Sequence, residues 1–142
     1  MRICAVDFKS NEANICLIEL THGLFDVPDC RTRKFTVMNA ANAGQIRQFQ
    51  QSFAKLMDDY KVDKIVIRER PMKGKFSGGA ISFKLEAALQ LIENFDSVIF
   101  TSREMKQSIK ETPVMVMGKD VGLKQFQEQA FNIGCAYLNS VA

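Results

Sequence analysis

The chain has 142 residues, 46% of them hydrophobic and 25% charged, the composition of one ordinary folded domain rather than a disordered or low-complexity segment. No apolar run approaches the roughly 20 residues that a membrane-crossing helix needs, and Met1-Arg2-Ile3-Cys4-Ala5-Val6-Asp7 meets a charge too early for a secretory leader, so a cytoplasmic protein without membrane contact is expected. The net charge of +3 permits a polyanionic partner without requiring one; four cysteines without a Cys-x-x-Cys pair and a single histidine, His22, argue against zinc, structural disulfides and histidine-based catalysis.

In chain order, residues 2–8 and 15–20 are apolar runs joined by a polar connection, residues 9–14, which predicts an antiparallel hairpin. Residues 30–37 alternate Thr, Phe and Val with basic residues and predict a third antiparallel strand with one wet face. Over residues 42–60, Ile46, Phe49, Phe53, Leu56 and Tyr60 fall on one stripe of an amphipathic helix. Ile65-Val66-Ile67 is apolar on both faces, as a central strand covered on each side would be. Beyond Gly78-Gly79, a second helical stripe runs through Leu85, Ala88, Leu89, Ile92 and Phe95 before a short strand at Val98-Ile99-Phe100.

Thr101-Ser102-Arg103-Glu104 has the spacing of a capping box, opening a helix to about Glu111 that must end before Pro113. Residues 114–117 read as an extended connection or edge segment. Asp120 then caps a last helix with the stripe Leu123, Phe126, Ala130, Ile133 and Tyr137. Each strand-helix-strand crossover makes parallel neighbours, so the order predicts a single α/β domain over residues 1–142: a five-stranded mixed sheet, three antiparallel strands then two parallel, with helices on both faces.

Residues 64–79 are the stretch around which a site is expected. The central strand there breaks into Arg68-Glu69-Arg70 and then a basic, glycine-containing loop, and open α/β sheets place ligands beyond the carboxyl ends of their strands. Lys73 and Lys75 supply charge, Phe76 a stacking face, and Arg68 and Arg70 flank the carboxylate, all suited to nucleic-acid contacts. The loop is not a Walker loop, and its bland reading is a plain connection. For Asp7 the alternatives are a site acid or a partner of Lys9, and for Glu69 a site acid or a salt bridge. Asp120 is read as a site acid or a simple helix cap, and Glu128 as a solvated surface glutamate.

The element order, together with Ile3-Cys4-Ala5-Val6-Asp7, Ile65-Val66-Ile67-Arg68-Glu69, Lys75 and Ser82-Phe83-Lys84-Leu85, resembles the ribonuclease H-like superfamily, in its RuvC-like, Holliday-junction-resolvase branch. The chain is also similar to a small uncharacterised bacterial family of that fold. The resemblance implies a metal-dependent endonuclease acting on structured or branched nucleic acid. Asp7, Glu69 and Asp120 would be its catalytic ligands for Mg2+ or Mn2+, because a two-cation site needs several carboxylates from different elements. It also implies a homodimer. The sequence departs from the branch where the last helix should open Asp-x-x-Asp, since Leu123 and Lys124 follow Asp120. The alternative is a catalytically inactive ribonuclease H-like binding or scaffold domain.

Overall fold

Ser10 and Asn11 reverse the chain between β1 (Arg2–Lys9) and β2 (Glu12–Thr21), with Ser10 in the left-handed region at φ 57°. The turn is tighter than residues 9–14 because the pairing continues through Phe8↔Ala13 to Lys9↔Glu12, and both Phe8 and Ala13 are buried. The computed structural model describes residues 1–74 and 78–142, and among these the chain forms six β-strands and four α-helices.

The third strand is divided rather than continuous over residues 30–37. β3 (Leu24–Asp26) pairs one end of β2 and β4 (Lys34–Thr36) the other. Pro28, which has no N–H to donate, lies in the intervening segment, where Ile15 N–H donates to the Arg33 carbonyl at 3.0 Å.

α1 (Ala43–Asp59) starts where the Asn42 side chain accepts the Gln45 N–H at 3.1 Å. β5 (Lys64–Arg68) then enters parallel to β1. α2 (Ala80–Gln90) leads to β6 (Asp96–Phe100), parallel to β5, and α3 (Ser102–Glu111) follows at once. The sheet order is β3-β2-β1-β5-β6, with β4 also on β2, so the expected mixed sheet with two parallel strands at one side is present.

Side chains alternate across the strands. Cys4, Val6, Ile65 and Ile67 pack under α1 and α2 with Phe49, Phe53, Leu56 and Leu89. Ile3, Ala5, Cys16, Ile18 and Val66 pack on the opposite face against α4 (Glu128–Val141). That helix crosses the sheet closely at Gly134, where an added methyl would strike Ile18 and stand 3.0 Å from the Ala5 Cβ.

The last helix starts later than Asp120. Two 3-10 turns, Gly118–Val121 and Gln125–Gln127, precede it, separated by Gly122 in the left-handed region at φ 84°. Phe126 consequently leaves the expected apolar stripe and stands 38% exposed. Among the described residues, no helix is long and apolar enough to cross a membrane.

Candidate functional site

The strand registers build a polar row across four strands at the end of the sheet where β1 and β5 terminate. Asn14 of β2 pairs with Asp7 of β1 on one side and Lys34 of β4 on the other. One step beyond Val6↔Ile67, Arg68 of β5 stands beside Asp7. Directly paired residues share a face, and this is the α4 face, because Ala5 and Cys16, two residues back along β1 and on along β2, belong to the core beneath that helix.

Asn14, Asp7 and Arg68 thus form the floor of a groove, with Lys34 beyond its edge, and the beginning of α4 forms its roof. Gln127 is buried and its Nε2 donates to the Ile15 carbonyl at 2.8 Å, pinning the 3-10 turn to β2. Gln125 and Gln129, two residues to either side, therefore line the groove with Asp7, Asn14, Lys9 and Arg68, in a cavity of about 350 Å3. Phe126 forms part of the same wall, with the Lys34 Nζ 4.7 Å from its ring centre.

Asp7 is 6% exposed, and Arg68 Nη1 donates to its Oδ1 at 3.2 Å. Burial pushes its carboxyl above the ordinary 3.8; attraction and hydrogen bonding from Arg68 offset this in part. The partner is Arg68 rather than Lys9.

Glu69 lies just past β5, where its own N–H donates to the Phe100 carbonyl at 3.2 Å. Its Oε1 accepts the Ser102 N–H at 2.9 Å, so one oxygen caps the start of α3. Neither neighbouring arginine pairs with it.

Arg70 is taken inside. Its guanidinium donates to Ser82 Oγ, the Arg68 carbonyl and Glu86 Oε1 at 3.2, 3.0 and 3.2 Å, between the Phe8 and Phe83 rings at 5.0 and 4.6 Å. Buried in this way, Arg70 ties β5 to α2 and cannot reach a nucleic acid without unpacking. Arg68, by contrast, keeps 39% of its side chain exposed at the groove. Lys73 is exposed, while Lys75 and Phe76 lie outside the described residues.

Asp120 is exposed and accepts the Met117 N–H at 3.2 Å inside its own 3-10 turn. It does not line the groove. Glu128 is half-buried rather than fully solvated, because its Oε1 accepts the Gly118 N–H at 3.3 Å.

Asp7, Glu69 and Asp120 therefore do not together form a metal cage. Among the described residues, no three His, Cys, Asp or Glu side chains converge closely enough to hold a metal ion. Two magnesium or manganese ions require a cage of oxygen ligands with several negative charges. Here the groove brings one carboxylate, three amides and two cations, with the Arg68 guanidinium already on Asp7. That donor set does not fit a metal pair. Asn14, Gln125 and Gln129 were not anticipated as groove residues. Counting outward from a two-residue turn at Ser10-Asn11 would have placed Asn14 opposite Asp7, but the glutamines depend on how Gln127 docks.

The fold is shared with solved Holliday-junction resolvases at low sequence identity. A structure of Thermus thermophilus RuvC superposes with a TM-score of 0.73 at 8% identity, covering 99% of this chain and 95% of that one. T. thermophilus RuvC in complex with Holliday junction substrate gives 0.69 at 10% identity with the same coverage. Fowlpox virus resolvase with substrate Holliday junction DNA gives 0.57 at 15% identity, covering 99% of each chain. The likeness shows a RuvC-like, ribonuclease H-like fold. None of the curated proteins matches the chain. Residues 1–137 match the model of the family described as protein of unknown function (DUF3010), and the chain belongs to that family.

Proposed function

We propose that this protein is a RuvC-like domain that binds structured nucleic acid through the carboxyl-end edge of its sheet without cutting it. The observation that carries the reading is the Asp7–Arg68 ion pair at 3.2 Å, which puts a cation on the acid that a nuclease would need for metal. The glutamines at the start of α4 extend the same argument, since amides contribute no charge to offset a divalent ion. In support of a nucleic-acid ligand, resolvases of this fold are solved on Holliday junction DNA, and Lys9, Arg68 and Lys73 expose positive charge at this end.

A magnesium- or manganese-dependent nuclease is the second reading. It is favoured by Asp7 and Glu69 lying near the carboxyl ends of adjacent parallel strands, each with one carboxylate oxygen unpaired among the described residues.

Binding and cleavage of a four-way junction, with either metal or with chelator, separate the two for wild type, Asp7→Asn and Glu69→Gln. The expected outcome is chelator-insensitive binding and no cleavage. Lys73→Ala should weaken binding and flatten its logarithmic salt dependence by about 0.7–0.9. Metal-dependent cutting that disappears in Asp7→Asn would replace this reading with the nuclease one. Absence of binding to any nucleic acid would remove both.

A further inference from the structure

We infer that the Asp7–Asn14 groove receives an unpaired nucleobase, read through its hydrogen-bonding edge. The inference rests on the nucleic-acid reading and names the part of the ligand that this site takes. Its main support is Asn14, which is 4% exposed and lines the groove floor, so that the little surface it keeps faces the cavity. Among the described residues no fully buried side-chain nitrogen or oxygen lacks a partner, so whatever hydrogen-bonding capacity Asn14 does not use within the fold opens onto the cavity, where a donor-acceptor partner can meet it.

The surrounding chemistry selects that partner. A phosphate would have to settle against the Asp7 carboxylate, and a bare cation against Arg68, which stand 3.2 Å from each other. A neutral group carrying both donors and acceptors avoids both conflicts. Asn14, Gln125 and Gln129 each offer an amide oxygen and an amide nitrogen, and Asp7 Oδ2 adds an acceptor. Nucleobase edges present this alternation, and proteins read unstacked bases by combining such contacts with an aromatic face. Phe126, 38% exposed in the groove wall, supplies the face. The cavity of about 350 Å3 lies at the small end of the roughly 300–1,000 Å3 typical of ligand sites.

The test compares fluorescence anisotropy for a labelled single-stranded oligonucleotide and for one of equal length whose central nucleotides are abasic. Wild type should prefer the base-bearing strand by between about fivefold and a hundredfold, the range that one stacked base supplies. Asn14→Leu, and separately the exposed Gln129→Ala, which does not threaten folding, should shrink that preference while leaving the salt dependence unchanged. Equal binding of both strands by wild type overturns the inference and leaves nucleic-acid binding standing. A preference unmoved in both variants also overturns it, by placing base recognition elsewhere. Failure to bind either strand overturns the nucleic-acid reading together with this one.

Discussion

An acid that is 6% exposed needs compensation, and Asp7 draws it from one guanidinium that is itself 39% exposed. Because burial dominates, folded Asp7 takes up a proton more readily than unfolded Asp7. An acid with a raised folded pKa favours the folded state while protonated and costs stability once ionised, so the cost develops as pH climbs through the window above 3.8. Asp7→Asn should therefore melt no lower than wild type at neutral pH, and the difference should close as pH falls through that window. Thermal melts across the acid range check this. An asparagine variant less stable by more than about 1 kcal/mol at neutral pH would show that the pair contributes more than such partly exposed bridges usually do. The acid itself was legible in the sequence, since an aspartate directly after an apolar run marks the approach to a strand's carboxyl end, although β1 runs two residues further. Which arginine would serve it was not. Strand parity puts Arg68 and Arg70 on the same side, and only the arrival of Ser82, Phe83 and Glu86 on α2 decides that Arg70 turns inward.

α3 and α4 show how far local signals carry at the level of elements. α3 was readable from four residues because its cap is local. Thr101 Oγ1 accepts the Glu104 N–H at 3.1 Å, and Glu104 Oε1 accepts the Thr101 N–H at the same distance. The contribution of Glu69 to that terminus comes from 33 positions away and left no pattern to read. Thr101→Ala should cost about 1 kcal/mol. Glu69→Gln, which keeps an acceptor but removes the charge at the helix start, should cost roughly 0.3–1 kcal/mol, more at low salt than at high. Urea denaturation of both variants tests the assignment; no loss in Glu69→Gln at low salt would mean that the carboxylate has no electrostatic role at α3. The start of α4 failed as a prediction because Asp120 and the apolar spacing after it imitate a capped helix. Gly122, with the Gln127–Ile15 and Glu128–Gly118 hydrogen bonds, holds the segment in two tight turns instead. Those same bonds deliver Gln125 and Gln129 to the groove, so the start of α4 and half of the site were hidden for one reason.

Across the whole molecule, β1 and β5 separate two cores, and the cysteines divide between them. Cys4 lies beneath α1 and α2, and Cys16 and Cys135 lie beneath α4, whereas Cys30 is partly exposed. Burial pushes the Cys135 thiol up to about 12 and raises Cys4 and Cys16 well above their ordinary value, which suppresses the reactive thiolate. A thiol-specific reagent should therefore label Cys30 first, and the other three together, at the rate of global unfolding. Prompt labelling of two or more would mean that one core opens independently of the other. The sheet and its two covered faces could be anticipated from alternation and crossover order, but the division of the third strand could not, because pairing at both ends of β2 is a long-range outcome. That division also bears on how the protein behaves at high concentration. A long open strand edge offers a continuous row of amides and carbonyls on which another chain can template, and strand edges of this kind seed association between molecules. With β3 and β4 each three residues long and the Pro28 segment between them, that side of the sheet presents only short, interrupted stretches to a would-be partner.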